Sequence, residues 1–308
     1  MSVIELDNLS KWYGEVIGLN NVTASVGRGI TGLLGPNGAG KSTLMGLAMG
    51  QLHPSQGTIR VFGKKVWNKP AVLSQIGYCP ESDPFWTNLT GRQFVTFLAK
   101  ASGLPRRKAR DAADSAIAAT GMTEHAGRSI KGYSKGMRQR IKMAQALAHR
   151  PKLLILDEPF TGADPVARHD LADLLRGLAE DGVDILVSSH VLHEVEALTK
   201  QIVMIDHGRI VAQGVLHTVR QTMHDRPHTI KVRVDQPRKL AVRLAEMDVI
   251  TGLKITPPET LLLETPTPGQ VYERLSDLIL DEGISVLEIA PDDEGLEAVF
   301  GYLTQQAN

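Results

Sequence analysis

Short apolar runs, most of them closed by Gly, Asp or Ser, recur through the first 215 residues: VIEL, ITGLLG, TIRVFG, LLILD, DILVSS, IVMID and RIVAQG. Between several of them apolar residues return at helical spacing, over 43–50, 91–102, 107–120, 136–149, 165–181 and 191–199. Strands alternating with helices predict an α/β domain built on a largely parallel sheet. The interval 85–150 breaks the alternation and reads as consecutive helices, a helical insertion between two strands. After residue 215 the pattern restarts, with strands at TIKVRV, VITGLKI, TLLLET and ISVLEI. Helices are expected at RKLAVRLAEM, GQVYERLSDLILDEG and, last, EGLEAVFGYLTQQ. The order β-α-β-β-α-β fits a split βαβ, ferredoxin-like unit. Two domains are therefore expected, 1–215 and 216–308.

Charge supports the division. The whole chain is neutral, so no global field draws in a polyanion. Yet residues 1–215 hold 25 Lys and Arg against 19 Asp and Glu, and residues 216–308 hold 9 against 15. A composition 42% hydrophobic and 22% charged is that of a globular chain. The single cysteine, Cys79, excludes an intrachain disulfide, suits a reducing compartment, and reads as a small buried apolar residue. The N-terminus MSVIELDNLSKWYG carries early acidic residues and no apolar stretch, so no signal peptide is expected. No apolar run approaches the roughly 20 residues of a membrane helix. The expectation is a soluble protein that meets a membrane only through a partner.

Three strand ends carry chemistry. GPNGAGKST, residues 35–43, fits G-x-x-x-x-G-K-[ST], with an apolar strand before it and a helix after it. Gly35, Gly38 and Gly40 let the loop curl its N–H groups inward, with Pro36, Asn37, Ala39 and Thr43 completing the cradle. The helix N-terminus adds positive potential, Lys41 would reach the β- and γ-phosphates, and Ser42 would ligate Mg2+. LLILDEPF ends in Asp157, suited to a Mg2+ contact, and Glu158, which strand alternation turns to the opposite side. Glu158 is then free to orient and deprotonate a water. DILVSS ends at His190, where a neutral imidazole would hydrogen-bond a γ-phosphate. His190 and His193 share the spacing of a metal pair, but no third ligand accompanies them.

The run RSIKGYSKGMRQRIKMAQALAHR, 128–150, holds seven Lys or Arg and no Asp or Glu. Alone it suits nucleic acid, an anionic membrane or plain water. Ser134 is a candidate N-cap for a helix whose apolar face is Met137, Ile141, Ala144 and Ala148. A serine hydroxyl, N–H groups and a helix N-terminus together favour an anion.

The order GPNGAGKST, YSKGMRQR, LLILDEP, TGADP, SSH resembles the ATPase domain of ABC transporters, over residues 3–215. The resemblance implies a P-loop NTPase cassette: a RecA-like core, an antiparallel β subdomain and a helical subdomain. It implies that Tyr13 stacks on adenine and that His190 is the switch histidine. It further implies that Ser134 and Gly136 bind the γ-phosphate of ATP held by a second copy, and that Asp164 lies at the seam. Two copies would stack head to tail around two ATP molecules, power a separate polytopic permease, and sit on the cytoplasmic face of the membrane. The polyanion recognised would be ATP, with no nucleic-acid partner, and Arg138, Arg140 and Lys142 would form a solvated or intersubunit face.

The chain departs from the family pattern in two places. Tyr133, Lys135 and Met137 replace three residues of L-S-G-G-Q, and Glu81 stands where a glutamine is usual. Glu81 keeps a ligand for Mg2+ and adds negative charge beside phosphates. These replacements, with GLEAVF at 295–300, look like the branch that serves ABC-2-type export permeases. A soluble ABC ATPase acting on ribosomes or DNA is the alternative; one P-loop and no sustained heptads fit it poorly.

Overall fold

The computed structural model describes residues 2–221, 227–257, 259–292, 296 and 299–301. The chain divides into two compact units, Met1–Gly214 and Val215–Asn308.

The first unit opens with strands β1 (Ile4–Tyr13), β2 (Val16–Val26) and β3 (Ile30–Leu34), then helix α1 (Lys41–Ala48). Strands β4 (Gln56–Val61) and β5 (Lys64–Lys65), helix α2 (Pro70–Leu73) and strand β6 (Ile76–Cys79) follow. Helices α3 (Gly91–Ala101), α4 (Arg106–Ala119) and α5 (Lys135–Leu147) come next without an intervening strand. The unit closes with β7 (Leu153–Asp157), α6 (Pro165–Glu180), β8 (Asp184–Ser189), α7 (Leu192–Glu196), β9 (Gln201–Asp206) and β10 (Arg209–Val215).

These strands make two sheets. The central one runs β10-β9-β3-β8-β7-β6, with β6, β7, β8, β3 and β9 paired in parallel. The other runs β2-β1-β4-β5 and is antiparallel throughout. VIEL and TIRVFG thus leave the parallel sheet and form the antiparallel subdomain. Leu153 to Leu156 of β7 are wholly buried, as expected of a parallel strand covered on both faces. Truncating one of these leucines to alanine would cost about 2–5 kcal/mol, so the carboxylates at its end stand on a rigid base. One apolar core joins the helices α3 to α6 to the central sheet, and a second fills the space between the two sheets and α1.

The second unit begins with α8 (Leu216–Gln221) and continues β11 (His228–Val234), α9 (Pro237–Ala245), β12 (Gly252–Thr256), β13 (Thr260–Thr265), α10 (Pro268–Glu282) and β14 (Val286–Pro291). Its sheet runs β12-β13-β11-β14 with every pair antiparallel. Each β-α-β thus closes around an intervening strand, the ferredoxin-like arrangement. Ile230, Val232 and Val234 face a core shared with Leu240, Leu244, Val271 and Leu275 of α9 and α10. The expected last helix falls largely outside the described residues, though Leu296 and Val299 are buried.

Candidate active site

The loop between β3 and α1 is shaped by its backbone. Gly40 precedes α1 with φ of 112°, and a β-carbon there would meet the Gly18 carbonyl at 2.6 Å. No side chain caps α1, which leaves its first N–H groups and its positive end to an anion. Ala39 is buried, its N–H bonded to the Pro36 carbonyl at 3.2 Å and its carbonyl to the Gly208 N–H at 2.8 Å. Gly35 and Ala39 therefore build the loop without lining the cleft, while Pro36, Asn37, Gly38, Gly40, Lys41, Ser42 and Thr43 line it.

That cleft has a volume of about 340 Å³ and also receives Tyr13, Glu81, Asp157, Glu158 and His190. Lys41 is 7% exposed. Its Nζ donates to the carbonyls of Gly35 at 2.6 Å and Pro36 at 3.2 Å, and lies 3.9 Å from the Glu158 carboxylate. Burial pushes its pKa below the ordinary lysine value, opposed by the charges of Glu158, Asp157 and Glu81. Tyr13 is exposed, its hydroxyl 3.4 Å from Thr43 Oγ1 and its ring carrying Lys11 Nζ at 5.3 Å.

Asp157 ends β7. Its Oδ1 accepts from Ser188 Oγ at 2.8 Å, and its Oδ2 lies 3.5 Å from Ser42 Oγ. Burial raises its pKa, Ser188 lowers it, and the nearby charges of Glu81 and Glu158 raise it further. Ser42, Asp157 and Glu81 are hard oxygen donors on one cleft, a set that suits Mg2+ completed by phosphates. Among the described residues no group of three His, Cys, Asp or Glu forms a protein-only metal cage.

Glu158 corrects the alternation argument. β7 stops at Asp157, and Glu158 takes φ of 48°, so both carboxylates line the same cleft. Its N–H donates to Ser188 Oγ at 3.0 Å. A left-handed glutamate costs about 1–3 kcal/mol, which the buried surroundings hold in place. Ser188, which ties the Asp157 carboxylate to the Glu158 backbone N–H, did not stand out in the sequence. Its only signal is a polar residue ending a buried strand, opposite Asp157 in the β7–β8 register.

His190 Nδ1 donates to Glu158 Oε2 at 2.8 Å. A carboxylate only accepts, so Nδ1 carries the proton and Nε2 of a neutral ring has none to give. Donation to a phosphate while Glu158 is held therefore requires the imidazolium, not the neutral ring expected from sequence.

Ser134, Gly136 and Asp164 stand outside this cleft. Ser134 caps α5, accepting from Met137 N at 3.3 Å, and Asp164 caps α6, accepting from Ala167 N at 2.8 Å. A β-carbon on Gly136 would meet nothing within 4 Å, whereas one on Gly162 would strike the Lys135 side chain. Lys135 thus lies across the TGADP loop. The basic run is also less solvated than expected. Arg138 pairs with Asp83 at 3.4 Å and Arg140 with Asp170 at 2.9 Å, and Lys142 is buried.

A family model described as ABC transporter matches residues 19–161. An uncharacterized ABC transporter ATP-binding protein, YxlF of Bacillus subtilis (strain 168), is 34% identical over 97% of this chain and 98% of its own length. The Nod factor export ATP-binding protein I of Sinorhizobium fredii (strain NBRC 101917 / NGR234) is 36% identical over 98% of this chain and 85% of its own. A solved structure of the ATP binding subunit of an ABC transporter aligns with a TM-score of 0.66 at 30% identity, covering 72% of this chain and 93% of that one. Motif order, cleft and relatives agree: the chain belongs to the ATP-binding subunits of ABC transporters, a family of ATPases.

Proposed function

We propose that two copies of the chain stack head to tail around two ATP molecules and drive export through a separate permease. One observation carries this reading. The cleft gathers Lys41, Ser42, Asp157, Glu158 and His190, while Ser134, Gly136 and Asp164 remain outside it, Ser134 and Asp164 exposed and Gly136 with open space at its α-carbon. A second copy would bring the last three to the open side of the bound nucleotide.

The P-loop N–H groups and Lys41 hold the phosphates, and Tyr13 stacks on the adenine. Ser42 and Asp157, with Glu81 at the rim, would hold Mg2+, which supplies charge neutralisation across the phosphates when bound. Glu158 accepts a proton from the attacking water as its oxygen bonds the γ-phosphorus and the bond to the bridging oxygen of ADP breaks. His190 keeps the Glu158 carboxylate oriented. Ser134, Gly136 and the start of α5 hold the γ-phosphate across the seam, so its release separates the copies. Export as the direction is supported by the Nod factor export relative. The chain would act at the cytoplasmic face through its permease, as the family resemblance implies; no described helix is long and apolar enough to cross a membrane.

Glu158→Gln tests the reading. ATP binding should persist, turnover should fall by about 100-fold or more, and size-exclusion chromatography in ATP should show a trapped dimer. Normal turnover would remove Glu158 from the base role, and a monomer under these conditions would remove the paired arrangement.

A further inference from the structure

Helix α5 buries a cation outside the cleft. Lys142, in α5, is 3% exposed and does not line the nucleotide site. Its Nζ donates to three consecutive carbonyls, Pro80 at 3.0 Å, Glu81 at 2.8 Å and Ser82 at 3.4 Å. It also pairs with the Asp83 carboxylate at 3.2 Å. An ammonium has three protons, so these oxygens satisfy it fully. An apolar side chain would fill the same place without desolvating a charge, so the charge itself has work to do.

The loop it grips has reason to move. Glu81 shares the cleft with Asp157 and Glu158, three carboxylates with one lysine, Lys41, among its lining residues. Repulsion would drive the one exposed member, Glu81, away from the other two if its backbone were free. Gln145 on α5 and His149 in the turn after it extend the grip along β6. Gln145 Nε2 donates to the Tyr78 carbonyl at 2.5 Å, and His149 Nε2 bonds the Ile76 carbonyl at 3.0 Å. β6 is the edge of its sheet, and these two side chains satisfy its outer carbonyls.

We propose that Lys142 is a positioning residue for Glu81: it pins the backbone of residues 80–82 so that the Glu81 carboxylate stays at the cleft rim against the charges of Asp157 and Glu158. Because Ser134 caps α5, the same clamp ties this loop to the helix whose N-terminus would face the second copy. The inference rests on the reading of Glu81 as a Mg2+ ligand given above.

The test uses the full chain with Lys142→Met, Lys142→Arg, Glu81→Ala and the Lys142→Met, Glu81→Ala pair. Binding of a fluorescent ATP analogue is measured in MgCl2 and in EDTA, and amide exchange is followed over residues 81–85. Lys142→Met should speed exchange there about tenfold and leave the rest of the domain unchanged. It should lower the gain in affinity from Mg2+ about tenfold without changing affinity in EDTA, and Lys142→Arg should restore most of it. In the Glu81→Ala background Lys142→Met should add nothing. Equal weakening with and without Mg2+, or an undiminished effect in that background, would overturn the positioning role. A silent Glu81→Ala would remove the Mg2+ assignment and this inference with it, whereas a normal Glu81 effect beside a silent Lys142→Met overturns this inference alone. If Lys142→Met does not fold, Asp83→Asn removes the exposed partner and enters the same comparison.

Discussion

At the scale of single residues, burial sets reactivity in and around the cleft. Cys79 lies at the end of β6, wholly buried, with Gln139 Nε2 3.7 Å from its sulfur. Burial pushes its thiol up to about 12, so the nucleophilic thiolate is nearly absent at pH 8. Native protein should therefore resist a thiol-specific disulfide reagent at pH 8 and titrate one thiol only after denaturation. Rapid labelling of the folded chain would contradict this account of the strand end. Tyr78, one residue earlier, is likewise held up to about 12 by burial and the Asp157 charge, so it stays a neutral phenol across the working range.

At the scale of elements, the turn that follows α5 carries a titration of its own. His149 is held below its ordinary 6.5 by burial, with the Ile76 carbonyl opposing. Its depressed folded value means the unfolded chain binds the proton first as pH falls. The stability it contributes is complete above 6.5 and is lost as pH drops toward the folded value. Denaturant midpoints should thus fall between pH 7 and pH 5, and His149→Gln should flatten that slope; an unchanged slope would place the titration elsewhere. Element by element, the sequence showed what it carries contiguously. The P-loop, the β7 run and the split βαβ of the second unit each occupy one unbroken pattern. β2 escaped because NN interrupts its alternation and half its residues meet solvent. Glu158 was turned the wrong way because the strand period ends one residue earlier than the apolar run suggests. Lys142 read as solvated because a cation in a basic run gives no local sign that three carbonyls will surround it.

At the scale of the whole molecule, the first unit holds two apolar cores and the second its own, and residues 1–215 and 216–308 carry opposite net charge. Cargo recognition would rest with the permease. Gentle detergent extraction of native membranes should recover the chain with a polytopic membrane protein; recovery with ribosomes or DNA instead would favour the soluble alternative. Stability is also a property of the whole, and the proposed base role of Glu158 would set it against turnover. Its left-handed backbone is one that asparagine or glycine adopts at little cost. Either replacement would relax the chain at the position proposed to take the proton from water. Laboratory evolution selecting on heat resistance alone should therefore enrich inactive enzymes at this codon, and selection must include turnover to keep the glutamate.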